Sequence, residues 1–226
     1  MQRMLEIKQF VFGPFETNTY VVSDDAGHVL IVDPACYTPY EQQQLQAYVE
    51  DRLRLTDRCT DRPASPDRVQ IVATHGHLDH LWGASWATEQ WQTPVLLHEA
   101  DILMAEAMQE QYELFGVRRT AEQFPIVPLT EYRPATPDRP ACGLTDRITI
   151  LHTPGHTPGS VCLYWPEEKV LLSGDTLFCM GYGRTDLPGG DIGALIQSLN
   201  RLFTLPGDVW VFAGHGESTT IGAEKR

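Results

Sequence analysis

The sequence has no apolar run of about eighteen residues, the length that marks a membrane-spanning helix. Its opening stretch, Met1 to Lys8, lacks the long apolar core of a secretory leader. A cytoplasmic protein without a membrane partner is therefore expected. Cysteine is sparse as well. Cys36, Cys59, Cys142, Cys162 and Cys179 are odd in number, scattered, and nowhere spaced C-x-x-C. That pattern suits reduced thiols and argues against a disulfide framework. Basic residues are few, with 17 Lys and Arg against 30 Asp and Glu, a formal charge of −13. Binding a phosphate backbone needs a Lys/Arg surface, so no nucleic-acid partner is expected. An acidic surface serves solubility, and bound divalent ions would offset part of it locally. No internal repeat or low-complexity segment is evident. What remains is a chain of 226 residues, 42% hydrophobic, which suggests one domain, residues 1–226, with a sizeable core.

The richest stretch is Thr74-His75-Gly76-His77-Leu78-Asp79-His80. Val69 to Ala73 before it reads as a short buried strand. In an extended segment His75 and His77 point the same way, and Asp79 and His80 fall in the turn beyond. Such a cluster can hold one metal with the first two histidines and a second with the last pair. Imidazole and carboxylate donors suit zinc, and also iron or manganese. The plainer alternative is a polar loop whose histidines satisfy one another.

In chain order, residues 4–12, 18–23 and 28–33 read as strands. Pro39 opens a helix with a buried face of Leu45, Tyr48, Val49 and Leu53. A polar loop covers 56–66. After the histidines we expect a short helix over 81–91, a strand at 94–98 and a helix over about 99–115. The proline-rich remainder to 146 reads mostly as loop. Residues 99–146 together form a possible lid-like insertion, with a plain surface excursion as the alternative. Strands follow at 147–151, 160–165 and 169–173. Asp191 can cap a helix whose stripe is Ile192, Leu195, Ile196, Leu199 and Phe203, and a last strand covers 209–212.

Four of these strands end in candidate ligands: the histidine cluster, Pro154-Gly155-His156, Ser173-Gly174-Asp175 and Gly214-His215-Gly216. Delivered to one rim, they would make a two-metal basin, with the adjacent glycines allowing tight turns. His-x-His-x-Asp-His, Pro-Gly-His-Thr, Gly-Asp-Thr-Leu-Phe, Gly-Tyr-Gly-Arg and the terminal Gly-His-Gly together resemble a metallo-β-lactamase-fold hydrolase. Within that fold the chain is most similar to glyoxalase II, in its short single-domain bacterial branch. That branch shares the loop Gly183 to Asp191 and the Gly-His-Gly-x-x-Thr-Thr-Ile-Gly ending.

The resemblance implies an α/β fold, a four-layer αββα sandwich. It assigns His75, His77 and His156 to a first metal, and Asp79, His80 and His215 to a second. Asp175 bridges them, and Asp33 supports the site from behind. The implied cofactors are two divalent ions, zinc first, with iron or manganese as alternatives. The implied reaction is attack of a metal-bridging hydroxide on the carbonyl of a small thioester such as S-D-lactoylglutathione, with Asp79 and Asp175 in catalytic positions. Arg184 and Tyr182 are the implied substrate contacts, Arg184 competing with a local salt bridge to Asp186.

Departures from the family bear on the substrate. Trp82-Gly83 stands where Gly-Gly is usual. Glu217 and Asp186 stand where glutathione-contacting tyrosines occur, and the helical domain that helps hold glutathione is expected to be absent. The alternative function is a persulfide dioxygenase of the same fold, with one iron on His75, His156 and Asp175. A β-lactamase is disfavoured because those enzymes lack the bridging carboxylate. Among the remaining candidates, His152 and His98 read as ordinary hydrogen-bonding residues, His28 as a solvated turn residue and Cys179 as a packed thiol. Oligomeric state is not readable.

Overall fold

The computed structural model describes residues 5–25, 27–57, 68–129 and 147–225. The first strands, β1 (Leu5–Phe12), β2 (Thr17–Asp24) and β3 (Val29–Val32), run antiparallel in succession. Helix α1 (Pro39–Asp57) then crosses over to β4 (Val69–Val72), which is parallel to β3. The start of α1 is a reciprocal cap. The Thr38 amide donates to Glu41 at 2.7 Å, and the Glu41 amide donates to the Thr38 hydroxyl at 3.3 Å. Helix α2 (Ala84–Trp91) leads to β5 (Val95–Leu97), also parallel.

The helix expected over 99–115 is broken. A 3₁₀ turn at Glu99–Asp101 precedes α3 (Ile102–Glu106) and α4 (Met108–Leu114). At the break the Met104 carbonyl accepts the Gln111 side-chain amide at 2.8 Å, which occupies an acceptor that a continuous helix would use. Past α4, where no element is clear from the sequence, β6 (Ile126–Pro128) adds a parallel edge strand. Pro128 is tolerated there because an edge strand leaves one side unpaired. Residues 130–146 of the expected lid lie outside the described residues, as do Cys59 and Cys142.

The second sheet is built from β7 (Thr149–His152), β8 (Val161–Trp165), β9 (Val170–Gly174), β12 (Trp210–Ala213) and β13 (Thr219–Thr220), in spatial order β13-β12-β9-β8-β7. Between β9 and β12 the chain forms a small hairpin, β10 (Leu177–Phe178) and β11 (Gly181–Tyr182), and then α5 (Ile192–Leu202). A short α6 (Ile221–Glu224) follows β13. No strand was expected in this hairpin from the sequence. Strands of two residues leave no alternation for sequence reasoning to find.

Side-chain alternation along the strands separates the layers. Tyr20, Val22, Leu30, Val32 and Val72 of the first sheet pack on Val161, Leu163, Trp165 and Leu172 of the second. The opposite face of the first sheet, with Val21, Val29, Ile31 and Ile71, meets Leu45 and Val49 of α1 and Ala84 and Ala87 of α2. The outer face of the second sheet, with Cys162, Tyr164, Leu171 and Val211, meets Leu195, Leu199 and Leu202 of α5. The order is helices, sheet, sheet, helices, as expected. Strands such as β3 and β8 are apolar throughout because both of their faces are covered.

The stripe foreseen for α5 is rotated by about one residue. Ile192 and Ile196 are half exposed, and the buried line is Leu195, Ser198, Leu199 and Leu202. The Ser198 hydroxyl fits this line because it donates to the Pro154 carbonyl at 2.7 Å. Leu30 lies fully buried between the sheets. Leu30→Ala should lower the unfolding free energy by about 2–5 kcal/mol. Ile196→Ala should change it by less than about 1 kcal/mol. Urea titration reads both, and equal losses would contradict the layer assignment.

Candidate metal centre

Every strand that brings a site residue ends on the same rim. β4 runs into Thr74 and His75, β7 into Thr153 to His156, β9 into Asp175, and β12 into Gly214 and His215. Parallel strands placing their carboxyl ends together form the usual ligand crevice of α/β sheets. Backbone bonds tie the two sheets there. The Val161 amide donates to the Thr74 carbonyl at 2.9 Å, and the Asn18 amide donates to the Gly214 carbonyl at 2.7 Å. Two glycines are required by space. A Cβ at Gly214 would lie 2.1 Å from Asp175 Oδ1, and one at Gly183 would lie 1.9 Å from the Asp175 carbonyl oxygen.

His75, His77, Asp79, His80, His156, Asp175 and His215 converge. Their ligand-capable atoms form three overlapping groups, each within 4.8 Å: His75 with His77 and His156, His75 with His80 and Asp175, and Asp79 with His80 and His215. His77 Nδ1 is 2.9 Å from His156 Nε2. Asp175 lies between the sets, 3.4 Å from His80 Nε2 through Oδ1 and 3.5 Å from both His156 Nε2 and His215 Nε2 through Oδ2.

Three buried ligand atoms of the cluster have no hydrogen-bond partner: His75 Nε2, His80 Nε2 and Asp175 Oδ1. Such groups are costly when left unpaired. A divalent cation would satisfy all three, and the nitrogen and oxygen donor set suits zinc, iron or manganese.

A backing layer sets which ring nitrogen faces the centre. Asp33, 1% exposed, accepts the Thr74 amide at 2.6 Å and the Thr74 hydroxyl at 2.8 Å. It also lies 2.9 Å from His80 Nδ1. Because the Thr74 hydroxyl donates to Asp33, its oxygen is left to accept from His75 Nδ1 at 3.0 Å. Asp33 thus orients His80 directly and His75 through Thr74. The Arg184 carbonyl holds His156 Nδ1 at 2.7 Å, and the Phe15 carbonyl holds His215 Nδ1 at 3.1 Å. Thr17 donates to Asp79 Oδ2 at 2.7 Å.

Two supporting residues escaped sequence reasoning. Asp101, fully buried, accepts the Gly76 and Gly159 amides at 2.9 and 2.6 Å and the Thr157 hydroxyl at 2.6 Å, clamping two ligand loops together. Gln111 bonds the Leu78 amide at 3.0 Å and the Gly76 carbonyl at 3.0 Å. Neither belongs to a motif. The only signal was an acid and an amide on an apolar helical stretch, which usually means a surface face.

The other candidates fall elsewhere. His98 and His152 stack on each other at 4.2 Å, away from the centre, and His28 bonds Asp24 at 3.1 Å. Cys179 is exposed and not packed, because it sits at the turn of the β10–β11 hairpin. Trp82, where glycine was usual, rests against Phe15 and Tyr37 at 5.1 and 4.8 Å. Gly83 has no such freedom, since a Cβ there would lie 2.2 Å from Cys36 Sγ.

A cavity of about 560 Å³ opens on the cluster, bounded by Phe15, Phe115, Phe178, Tyr182, Arg184 and Leu187. Arg184 does not reach into it as a free cation. Its Nε and a terminal nitrogen donate to the two Asp186 carboxylate oxygens at 2.7 and 2.6 Å.

Burial and the neighbouring histidines hold His75 well below its ordinary pKa, and burial with the His156 charge lowers His77 to about 3. Burial opposes charge on His80 too, but the carboxylates of Asp79, Asp175 and Asp33 outweigh it and raise its pKa well above 6.5. His215 is likewise raised, with burial outweighed by the hydrogen bond to Asp79 and the charge of Asp175. For Asp79 and Asp175, burial favours the neutral acid, yet the His80 charge prevails and both stay ionised. Raised imidazoles carry protons near neutrality, and coordination requires their neutral form. Loading the metal-free protein with zinc at pH 7 should therefore release a proton from His80, and none from His75 or His77. The calorimetric heat should vary with the ionisation enthalpy of the buffer. A buffer-independent heat would contradict the charge assignment.

The chain is similar to known proteins. The metallo-beta-lactamase superfamily profile matches residues 12–215. The hydroxyacylglutathione hydrolase GloC of Haemophilus influenzae is 33% identical over 223 residues, covering 94% of this chain and 91% of GloC. Among solved structures, TTHA1623 in a di-iron-bound form is similar with a TM-score of 0.75 and 31% identity, covering 97% of both chains. The BLEG-1 B3 metallo-beta-lactamase is similar with a TM-score of 0.76 and 32% identity, covering 97% of this chain and 96% of that one. With the profile matching most of its length, the chain belongs to the metallo-beta-lactamase superfamily.

Proposed function

We propose that the protein is a binuclear metal-dependent hydrolase of small thioesters, with S-D-lactoylglutathione the first substrate to test. The observation that carries this reading is the trio of buried, unpartnered ligand atoms, His75 Nε2, His80 Nε2 and Asp175 Oδ1, within a seven-residue nitrogen and oxygen cluster. Likeness to GloC supports the choice of thioester.

In this reading His75, His77 and His156 hold one ion, Asp79, His80 and His215 the other, and Asp175 serves both. Zinc is the first candidate, iron or manganese the alternatives. Bound there, the ions supply Lewis acidity and bring the pKa of water to about 7. The protein's own groups do the rest. Asp79, kept ionised and held by the Thr17 hydroxyl, accepts a proton from the water that adds to the thioester carbonyl. Asp175 stays anionic between the two histidine sets. Phe15, Phe115 and Phe178 hold the substrate in a water-poor cavity. The water oxygen bonds to the carbonyl carbon, the carbon–sulfur bond breaks, Asp79 returns its proton to the departing sulfur, and a carboxylic acid and a thiol leave. Tyr182 and Arg184 stand at the cavity mouth as candidate contacts to the thiol carrier. Asp186 occupies the Nε edge of Arg184 and leaves its other terminal N–H groups open to a substrate carboxylate.

Metal content and turnover test the reading together. Anaerobically purified protein should carry two metals per chain and hydrolyse the thioester. Asp175→Ala should lose metal and at least about a hundredfold in kcat/KM, the range seen when a preorganised electrostatic group is removed. One iron per chain with oxygen uptake on glutathione persulfide, and no thioester hydrolysis, would overturn it.

A further inference from the structure

Beside the cluster lies a second concavity of about 520 Å³, walled by α3 and α4 on one side and by Leu187 to Gly189 on the other. It shares His77, Phe115 and Leu187 with the cavity over the cluster, so the two adjoin along those residues. Its walls are mostly apolar. Leu103 and Leu114 stand 78% and 61% exposed, a poor arrangement for large apolar side chains unless something covers them. Met104, Ala107 and Leu187 complete the surface. Gln111 in the wall offers little to a ligand, because its amide already bonds Gly76, Met104 and Leu78.

Charge argues the same way. Arg184 is the Lys or Arg lining the two cavities among the described residues, and Asp186 grips it with both oxygens. Glu110, the charged residue of the groove, is negative. An anionic arm gains nothing along this wall, whereas a hydrocarbon chain would be desolvated by it.

We propose that this groove receives the aliphatic acyl chain of the thioester, extending the substrate range from short hydroxy-acyl groups to medium-chain acyl groups. The inference rests on the thioesterase reading above. The carbonyl would lie at the His77 end, where the two cavities meet, and the chain would run past Met104 toward Leu103 and Leu114. Each methylene buried there should raise kcat/KM by up to about fourfold.

Acetyl, butyryl, hexanoyl and octanoyl thioesters of N-acetylcysteamine, a neutral thiol, supply the test. With metal-loaded protein, kcat/KM should rise roughly tenfold or more from acetyl to hexanoyl. Leu103→Asp and Leu114→Asp, at exposed positions that tolerate polar residues, should shrink that ratio to within about twofold. Calorimetric binding of S-methyl and S-hexyl ethers of the same thiol, which cannot be hydrolysed, scores the groove without turnover. The hexyl ether should bind more tightly, and Leu103→Asp should abolish its advantage. Hydrolysis with a flat chain-length profile would overturn the groove inference and leave the hydrolase reading intact. Absence of all thioester hydrolysis alongside tighter hexyl binding would overturn the hydrolase reading and support the groove as an apolar site. Equal binding of the two ethers would overturn the groove.

Discussion

The site depends on the carboxylate of Asp33. It follows β3 with φ at 54°, a left-handed conformation in which aspartate is one of the few tolerated side chains. That geometry costs about 1–3 kcal/mol. Its amide is held by the Val72 carbonyl at 2.9 Å, and its carbonyl accepts the Thr19 hydroxyl at 2.6 Å. Its side chain takes the Thr74 amide, the Thr74 hydroxyl and the His80 ring. These three hydrogen bonds are what hold the residue in that strained geometry. One early residue thereby fixes two imidazoles some forty positions later in the chain, and the strained backbone is what aims it.

The remaining order follows from closing two sheets over one core. With both faces of β3, β4, β8 and β9 buried, register is tightly specified, since a slip of one residue would exchange the inner and outer side chains. Strand ends therefore arrive at reproducible depths, and their histidines meet. Aromatic packing continues the support outward. Trp82 braces Phe15, whose carbonyl orients His215. Arg184 has two roles in two directions: its carbonyl holds His156, while its guanidinium pairs with Asp186.

Much of this was legible in the sequence because the ligands lie in short motifs beside long apolar strands. His75 to His80, His156, Asp175 and His215 all follow such strands, and the four layers were implied by the likeness of these motifs to the metallo-β-lactamase fold. What was not legible depends on contacts between distant segments. Asp101 looks like any helix-surface acid until Gly76 and Gly159 fold around it. The break at Ala107 comes beside the bond from the Gln111 amide to the Met104 carbonyl, a contact no motif marks. The buried line of α5 sits one residue away from the expected stripe because Ser198 finds the Pro154 carbonyl. The pairing of Arg184 with Asp186 could be named as an alternative from the sequence but not decided, since both residues sit in one loop whose turn depends on Gly183 packing against Asp175.

Anomalous diffraction from crystals of the zinc-loaded protein, recorded on both sides of the zinc edge, tests the centre most directly. The account predicts two peaks, one among His75, His77 and His156 and one among Asp79, His80 and His215, with Asp175 in contact with both. A single peak held by His75, His156 and Asp175 with the Asp79–His80–His215 group empty at saturating metal, or peaks lying outside the cluster, would contradict it.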